Sequence, residues 1–207
     1  ATKSEAVVVE GKNSVTLTDC DVTGNMSGTY NDGSEVLHNV MIYQSMSGDA
    51  EVGEASFAMS GGSLTSKADD LFYVTNTSCT IALKNVKLTL ANDVFLRVAG
   101  NDGSRGWGKS GSNGATVVLS AAAQAFEGDI IVDAISSLDL SIANGSTFTG
   151  AINTDGQAGE VSVKLDNSSK WVLTGDAYLT SFDGDAANII SNGYTVYVNG
   201  AAVNEAG

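Results

Sequence analysis

The chain has 207 residues, with 24 glycines, no proline, and 24 acidic against 10 basic side chains, which gives a formal net charge of −14. Such an acidic chain is a poor ligand for nucleic-acid phosphates, which require clustered Lys and Arg. Because 43% of the residues are hydrophobic, the composition is that of a folded chain rather than a disordered one. No apolar run approaches the roughly 20 residues of a membrane-spanning helix. We therefore expect a globular protein with no nucleic-acid partner and no membrane insertion.

Short segments in which apolar and small polar residues alternate run along the whole chain. This period of two is typical of β-strands with one buried face. Turn-forming Gly, Asn, Asp and Ser residues separate the segments, as at Gly11–Asn13 and Gly61–Gly62. The one helix-like run, Ala121–Glu127, directly follows a strand pattern, so the sequence favours an all-β fold. The predicted strands include Ser14–Val22, Ser63–Ser66, Thr80–Leu90, Thr116–Ser120, Ser136–Ile142 and Val161–Leu165.

The strands and turns repeat as a unit. A strand, a Gly/Asn turn and a second strand recur at about 20–25 residues, which is the spacing of solenoid repeats. When the units are superimposed, Leu17 falls on Leu83. We predict one domain over residues 1–207, a parallel β-helix, with an antiparallel β-sandwich as the alternative fold. The segments that match are Thr16–Val22 with Ala82–Leu88 and, upstream, Val7–Gly11 with Phe72–Asn76.

The repeat pattern of two segments, Glu5–Val22 and Ser63–Leu90, resembles that of bacterial right-handed parallel β-helix proteins. In particular, they are similar to secreted carbohydrate-binding β-helix domains related in fold to polysaccharide lyases, and to adhesin-like surface proteins with such coils. The resemblance implies right-handed coils and an extracellular location, either secreted or on the bacterial cell surface. It also implies that the chain belongs to a larger protein and that its partner is a polysaccharide or a cell-surface glycan.

Catalytic motifs of polygalacturonases, which share the β-helix fold, are matched only in fragments. Asn153–Gly156 and Asp69-Asp70 look like two of these motifs, but they occur in the wrong order. The Gly-His-Gly and Arg-Ile-Lys elements are missing, and the only histidine, His38, lies outside any matching motif. We therefore expect a non-catalytic module. The enzymatic alternative is a calcium-dependent polysaccharide lyase, with Arg97 or Arg105 as the base.

Aromatic side chains are the expected sugar-binding groups, because pyranose C–H groups pack against Trp and Tyr rings. Trp107 lies in a glycine-rich excursion, Gly100–Gly114, where a buried indole would be unexpected. Trp171 alternates with Leu173, a pattern that fits a core position and a surface position equally. The predicted carbohydrate-binding residues are Trp107, Arg105, Tyr30 and Trp171.

Acidic pairs in turns suggest bound calcium, because this cation takes several oxygen ligands from Asp, Asn and backbone carbonyls. The resemblance places Asp69 and Asp70 where related β-helices carry calcium-holding acidic turn residues. A second pair, Asp183 and Asp185, flanks a glycine. These four residues are the predicted metal ligands, against the alternative that they serve turn geometry and solubility. A structural stalk segment that binds nothing is the third functional hypothesis.

The two cysteines, Cys20 and Cys79, are too few for a disulfide scaffold. Both lie in runs where apolar and polar residues alternate. We therefore predict that both are buried free thiols.

Overall fold

The computed structural model of the chain describes residues 4–25, 29–30, 35–101, 107–156 and 159–205, of which 29–30 and 35–36 are described by their backbone alone. Its regular structure is almost entirely β-strand. A short 3-10 turn at Ala186–Asn188 is the helical exception among these residues. Within the same residues, none of the helical structure is long and apolar enough to cross a membrane.

A first sheet contains five parallel strands, which are numbered here in chain order over the whole protein. Neighbouring strands are far apart in sequence, because strands of other sheets lie between them in the chain. A run of the chain that contributes successive strands to these sheets is called a pass. In spatial order the strands are β1 (Val7–Glu10), β6 (Val40–Tyr43), β9 (Phe72–Thr75), β12 (Val94–Val98) and β15 (Asp129–Val132).

A second sheet contains seven strands, and every pairing in it is parallel. Its first five strands each follow a strand of the first sheet in the chain, after connections that range from the short turn between β9 and β10 to the long excursion between β12 and β13. In spatial order they are β2 (Ser14–Thr18), β7 (Ala55–Ser60), β10 (Ser78–Lys84), β13 (Thr116–Ala122), β16 (Ser137–Ala143), β18 (Glu160–Leu165) and β21 (Ser181–Asp183).

A third set of strands forms two separate parallel sheets, so that β11 and β14 are not joined by a ladder of hydrogen bonds. The Gln124 side chain lies between them and bonds both the N–H and the C=O of Val86, each at 2.8 Å. The first sheet of this set holds β3 (Asp21–Gly24), β8 (Ser63–Ser66) and β11 (Lys87–Thr89), and the second holds β14 (Ala125–Glu127), β17 (Thr147–Thr149), β19 (Lys170–Val172) and β22 (Ile189–Ile190).

The remaining strands include the antiparallel pairs among the described residues. Near the end of the chain, β20 and β23 pair in parallel, and β24 turns back antiparallel on β23. A short antiparallel pair, β4 with β5, lies between the first and second passes of the chain. These strands are β20 (Ala177–Leu179), β23 (Val196–Val198), β24 (Ala201–Ala202), β4 (Thr29–Tyr30) and β5 (Glu35–Val36).

The register between passes confirms the match found in the sequence. Leu17 pairs with Met59, which in turn pairs with Leu83, so the two leucines occupy the same position two passes apart. Val7 is related to Phe72 in the same way, through the intervening β6. An immunoglobulin-like sandwich is built from antiparallel sheets. The large sheets of this protein are parallel instead.

Glycine and asparagine at the corners explain the unusual composition. Asn85 and Asn144 adopt φ values of 52° and 58°, in the left-handed region that asparagine tolerates better than most residues. Proline cannot adopt a positive φ, and it lacks the N–H that a parallel ladder uses. Corners that turn tightly between paired strands therefore favour Gly and Asn and exclude Pro.

Aromatic rings form a continuous run through the core. Successive ring centroids lie between 4.7 and 5.7 Å apart, and every ring in the run is buried. The contacts pass from one strand set to another, so the run ties the sheets together across the interior. Its members are Phe57, Phe72, Phe95, Phe126, Phe148 and Trp171.

Removing one ring from this run should destabilise the protein strongly. Phe148 is fully buried and stacks between Phe126 and Trp171. We expect Phe148→Ala to lower the free energy of unfolding by about 3–5 kcal/mol, and Phe148→Leu to cost clearly less because most of the volume remains. Urea denaturation followed by far-UV circular dichroism measures both. Equal stability of wild type and Phe148→Ala would contradict the packing described here.

The two thiols should differ in reactivity. Both cysteines are free, but Cys79 is buried, whereas Cys20 lies at the corner between β2 and β3 and is partly exposed, contrary to the prediction that both are buried. Burial raises the pKa of the Cys79 thiol to about 12. At pH 8 a thiol-specific chromogenic reagent should therefore modify one thiol per native chain and two in denaturant. Rapid modification of two thiols in the native protein would contradict this expectation.

Candidate functional site

The strongest cluster of functional side chains lies where strands of the first sheet begin. Asn39 donates its backbone N–H to the Asp70 carbonyl, and Val40 pairs with Phe72. His38 and Asp70 therefore precede adjacent strands by the same two residues. The parallel register brings an imidazole from one pass of the chain beside a carboxylate from the next.

Asp70 is completely buried and has two side-chain partners from the following pass. The Arg97 Nε donates to Asp70 Oδ2 at 2.6 Å, and the Asn92 Nδ2 donates to Oδ1 at 3.0 Å. Arg97 occupies the outward side of β12, directly beside Tyr73 of β9. A buried carboxylate requires such compensation, because an isolated buried charge costs several kcal/mol.

Asp69 adds a second carboxylate at the same corner. Its backbone has φ 58°, and its Oδ1 accepts the Asp70 backbone N–H at 2.8 Å. The His38 Nδ1 lies 3.9 Å from Asp69 Oδ1 and 3.7 Å from Asp70 Oδ2. Burial raises the pKa of the Asp69 carboxyl above its ordinary value, and the charge of Asp70 adds to this, although the Asp70 N–H and Arg97 oppose it.

His38 is held against an aromatic ring. Its imidazole lies 4.2 Å, centroid to centroid, from the ring of Tyr73, and only a small part of the residue is exposed. Asp69 and Asp70 are among the metal ligands predicted from the sequence, whereas the sequence pattern indicates no role for His38 or Asn92. The shared two-residue offset before strands β6 and β9 is the signal that would have found the histidine.

The predicted sugar-binding residue Trp107 packs on a tyrosine. Its ring centroid lies 5.7 Å from that of Tyr43, at an interplanar angle of 40°, and both residues are partly exposed. Tyr43 is the last residue of β6, the strand that begins just after His38. The aromatic pair and the His38 cluster therefore lie at opposite ends of one strand.

Trp171, another predicted sugar-binding residue, is not brought to this surface. Trp171 is fully buried, stacks on Phe148, and donates its Nε1 hydrogen to the Gly150 carbonyl at 2.9 Å. Its indole belongs to the core and offers no face to a glycan, because the side chains of Trp171 and Leu173 both point inward. Arg105 lies outside the described residues, and only the backbone of Tyr30, in β4, is described.

The second predicted metal pair serves local structure. The Asp183 Oδ2 lies 3.0 Å from the Lys164 Nζ in an exposed ion pair, and Asp185 caps the 3-10 turn by accepting the Ala187 N–H at 3.0 Å. Both line an open cleft of about 640 Å³ together with Asp166. Asp69 and Asp70 lie at another place in the fold, next to His38.

A further cleft lies beside the gap between β11 and β14. Its volume is about 530 Å³, and its lining combines carboxylates, an amide, hydroxyls and an apolar side chain. Such a lining accepts hydrogen bonds from sugar hydroxyls, but none of the aromatic residues predicted from the sequence takes part in it. The lining includes Leu90, Asn92, Asp93, Glu127, Asp129, Thr149 and Thr174.

No protein-family model matches the chain, and no curated protein and no solved structure matches it significantly. What the site does must therefore be inferred from its own geometry and chemistry. Among the described residues, His38, Asp69 and Asp70 form the one group whose nitrogen and oxygen ligand atoms all lie within 4.8 Å of one another.

The raised pKa of Asp69 predicts a pH-dependent stability that one substitution removes. A carboxyl whose pKa is higher in the folded than in the unfolded chain favours folding most below its unfolded value of 3.8, and that contribution is lost as the pH rises through the folded pKa. Asp69→Asn removes the carboxylate charge, and asparagine tolerates the positive φ at this position. With EDTA present, we expect the variant to melt above wild type at pH 7, and the difference to shrink towards pH 3.5.

Calorimetry across this pH range measures the effect. Asp183→Asn, which removes an exposed acid of the same charge, is the matched control and should show a smaller difference at pH 7. A melting temperature of Asp69→Asn below that of wild type at pH 7 would refute the burial argument.

Proposed function

We propose that the chain is a right-handed parallel β-helix that acts as a non-catalytic polysaccharide-binding or adhesin module of a secreted or cell-surface bacterial protein. The parallel sheets support the architecture. Strands β1, β2 and β3 are followed by β6, β7 and β8 and then by β9, β10 and β11, each pairing with its equivalent in the next pass. Parallel strands in one sheet are joined by right-handed crossovers in nearly all proteins, which favours the right-handed form.

The partly exposed pair of Trp107 and Tyr43 is the observation that carries the binding hypothesis. Two neighbouring rings inclined at 40° offer a surface on which pyranose C–H groups can pack. The segment after Trp107 is held by hydrogen bonds, since the Asn113 Nδ2 donates to the Asn101 carbonyl at 2.7 Å. Gly108 has φ 90°, and a Cβ there would approach that carbonyl to 2.7 Å. These contacts define the path of the chain next to Trp107, which lowers the entropy cost of binding.

The net charge selects the kind of glycan. A chain with a formal charge of −14 repels acidic polysaccharides unless divalent cations bridge the two. Sugar hydroxyls need only hydrogen-bond partners and apolar contact. Neutral polysaccharides are therefore the expected ligands.

The contacts of Arg97, one of the two predicted bases, weaken the lyase hypothesis. Its Nε donates a hydrogen to the buried Asp70 carboxylate, and the pair is structural. A base must accept a proton from its substrate, whereas this guanidinium nitrogen is held as a donor in a charge pair. This pairing counts against Arg97 as the base, whereas Arg105, the other predicted base, lies outside the described residues. Our proposal is binding without cleavage.

Affinity electrophoresis in gels that contain xylan, glucomannan or mixed-linkage glucan tests the proposal. We expect at least one neutral polysaccharide to retard the wild-type protein, and Trp107→Ala to weaken that retention by about tenfold or more, because an aromatic anchor is lost. Pectate with and without calcium is the acidic comparison.

Tyr194→Ala is the matched control, because it removes an exposed ring that is not part of the pair. It should bind as wild type does. Equal retention of wild type and Trp107→Ala would refute the role of the aromatic pair, and no retention by any polysaccharide would favour the structural stalk. Release of unsaturated products from pectate would favour the lyase.

A further inference from the structure

We propose that His38, Asp69 and Asp70 bind a divalent transition-metal ion of the zinc class, through the His38 Nδ1 and one carboxylate oxygen from each aspartate. This site is separate from the proposed glycan surface and does not depend on it. It retains two of the metal ligands predicted from the sequence, but it adds a nitrogen donor, and that donor changes the class of ion that fits.

The distances suit a small ion. Ligands at 2.0–2.2 Å around a tetrahedral zinc lie about 3.4 Å from one another. The His38 Nδ1 lies 3.7 Å from Asp70 Oδ2 and 3.9 Å from Asp69 Oδ1. Bringing the two His38 distances to this value requires shifts of about 0.5 Å or less. The three ligand atoms, one from each residue, all lie within 4.8 Å of one another.

The donor set disfavours calcium. Calcium takes six to eight oxygen ligands, and imidazole nitrogen is not among those it prefers. One imidazole with two carboxylates is instead typical of zinc and its neighbours, with a fourth position left to water. The two carboxylates at this corner supply fewer oxygen ligands than calcium takes.

The surroundings match those of a ligating carboxylate. Metal-bound carboxylates are themselves held by hydrogen bonds from outer groups, which fix their orientation. The Arg97 Nε and the Asn92 Nδ2 do this for the two oxygens of Asp70. The Asp70 backbone N–H does the same for Asp69 Oδ1, and the ring of Tyr73 supports the imidazole.

The charge of the cluster also calls for a cation. Among the described residues, two carboxylates face one guanidinium at a corner where Asp70 is completely buried and Asp69 is mostly buried, so the ionised cluster carries an excess negative charge. A divalent ion neutralises it. The competing solution is a proton on His38, which would pair with the same two carboxylates.

The single histidine makes the test direct. In uniformly ¹⁵N-labelled protein, long-range ¹H–¹⁵N spectra show one imidazole, which is that of His38. Added Zn²⁺ should move the Nδ1 resonance far more than that of Nε2, saturate at one equivalent, and be reversed by EDTA. Calcium at a hundredfold excess should not move it.

Zinc affinity measured by competition with a chromogenic chelator gives a second readout. Asp69→Asn should weaken binding by about tenfold or more, and because Asn tolerates the positive φ at this position, the variant should keep the fold. Asp183→Asn, with the same loss of charge elsewhere, should bind as wild type does.

Three outcomes would overturn the site. One is an Nδ1 resonance that does not respond to Zn²⁺, and another is binding of Zn²⁺ by Asp69→Asn that is as tight as that of wild type. In the third outcome, His38 titrates as an imidazolium paired with the carboxylates and its titration is unaffected by Zn²⁺, which would assign the cluster to a proton instead. None of these outcomes bears on polysaccharide retention, so failure of the metal site and failure of the glycan proposal are distinguishable.

Discussion

Residue-for-residue register between successive parallel strands is the constraint on which the rest of the structure depends. Since side chains alternate along a strand, a slip of one residue would exchange the buried and exposed rows of a whole pass. The aromatic run depends on this register, because each ring must contact a ring on a neighbouring pass. The same register also aligns the residues that come just before each strand. For this reason His38 lies beside Asp70.

The cluster of His38, Asp69 and Asp70 lies beside a place where that regularity is locally broken. In β12 the register shifts between Val94 and Leu96, so that Phe95 is an extra residue opposite β15. Phe95 and Leu96 are consequently both buried, although they are consecutive. A bulge of this kind re-aims the side chains that follow it. Arg97 then lies on the outward side, where its guanidinium reaches the carboxylate of Asp70.

Much of the architecture could be predicted from the sequence, because period-two alternation and the repeat spacing are both set by backbone geometry. Leu17 and Leu83 occupy equivalent positions, as predicted. Alternation does not reveal which of two faces is inward, and for this reason Trp171 remained ambiguous until its contacts were known. The bulge at Phe95 and the partnership of His38 with Asp70 depend on pairing between passes, which only a comparison of distant segments can indicate.

Strand β6 joins the two proposed sites. His38 stands two residues before its first residue, and Tyr43, which supports Trp107, is its last. At about 3.3 Å per residue, the two positions are about 17 Å apart along one strand. A metal ion at the His38 end would restrain the start of the strand whose other end carries the aromatic surface. If that restraint strengthens glycan binding, thermodynamic reciprocity requires that glycan strengthens metal binding by the same factor. In the two proposals, the cation would offset the acidity at the cluster of an acidic chain, and the aromatic pair would bind a neutral sugar without charged groups.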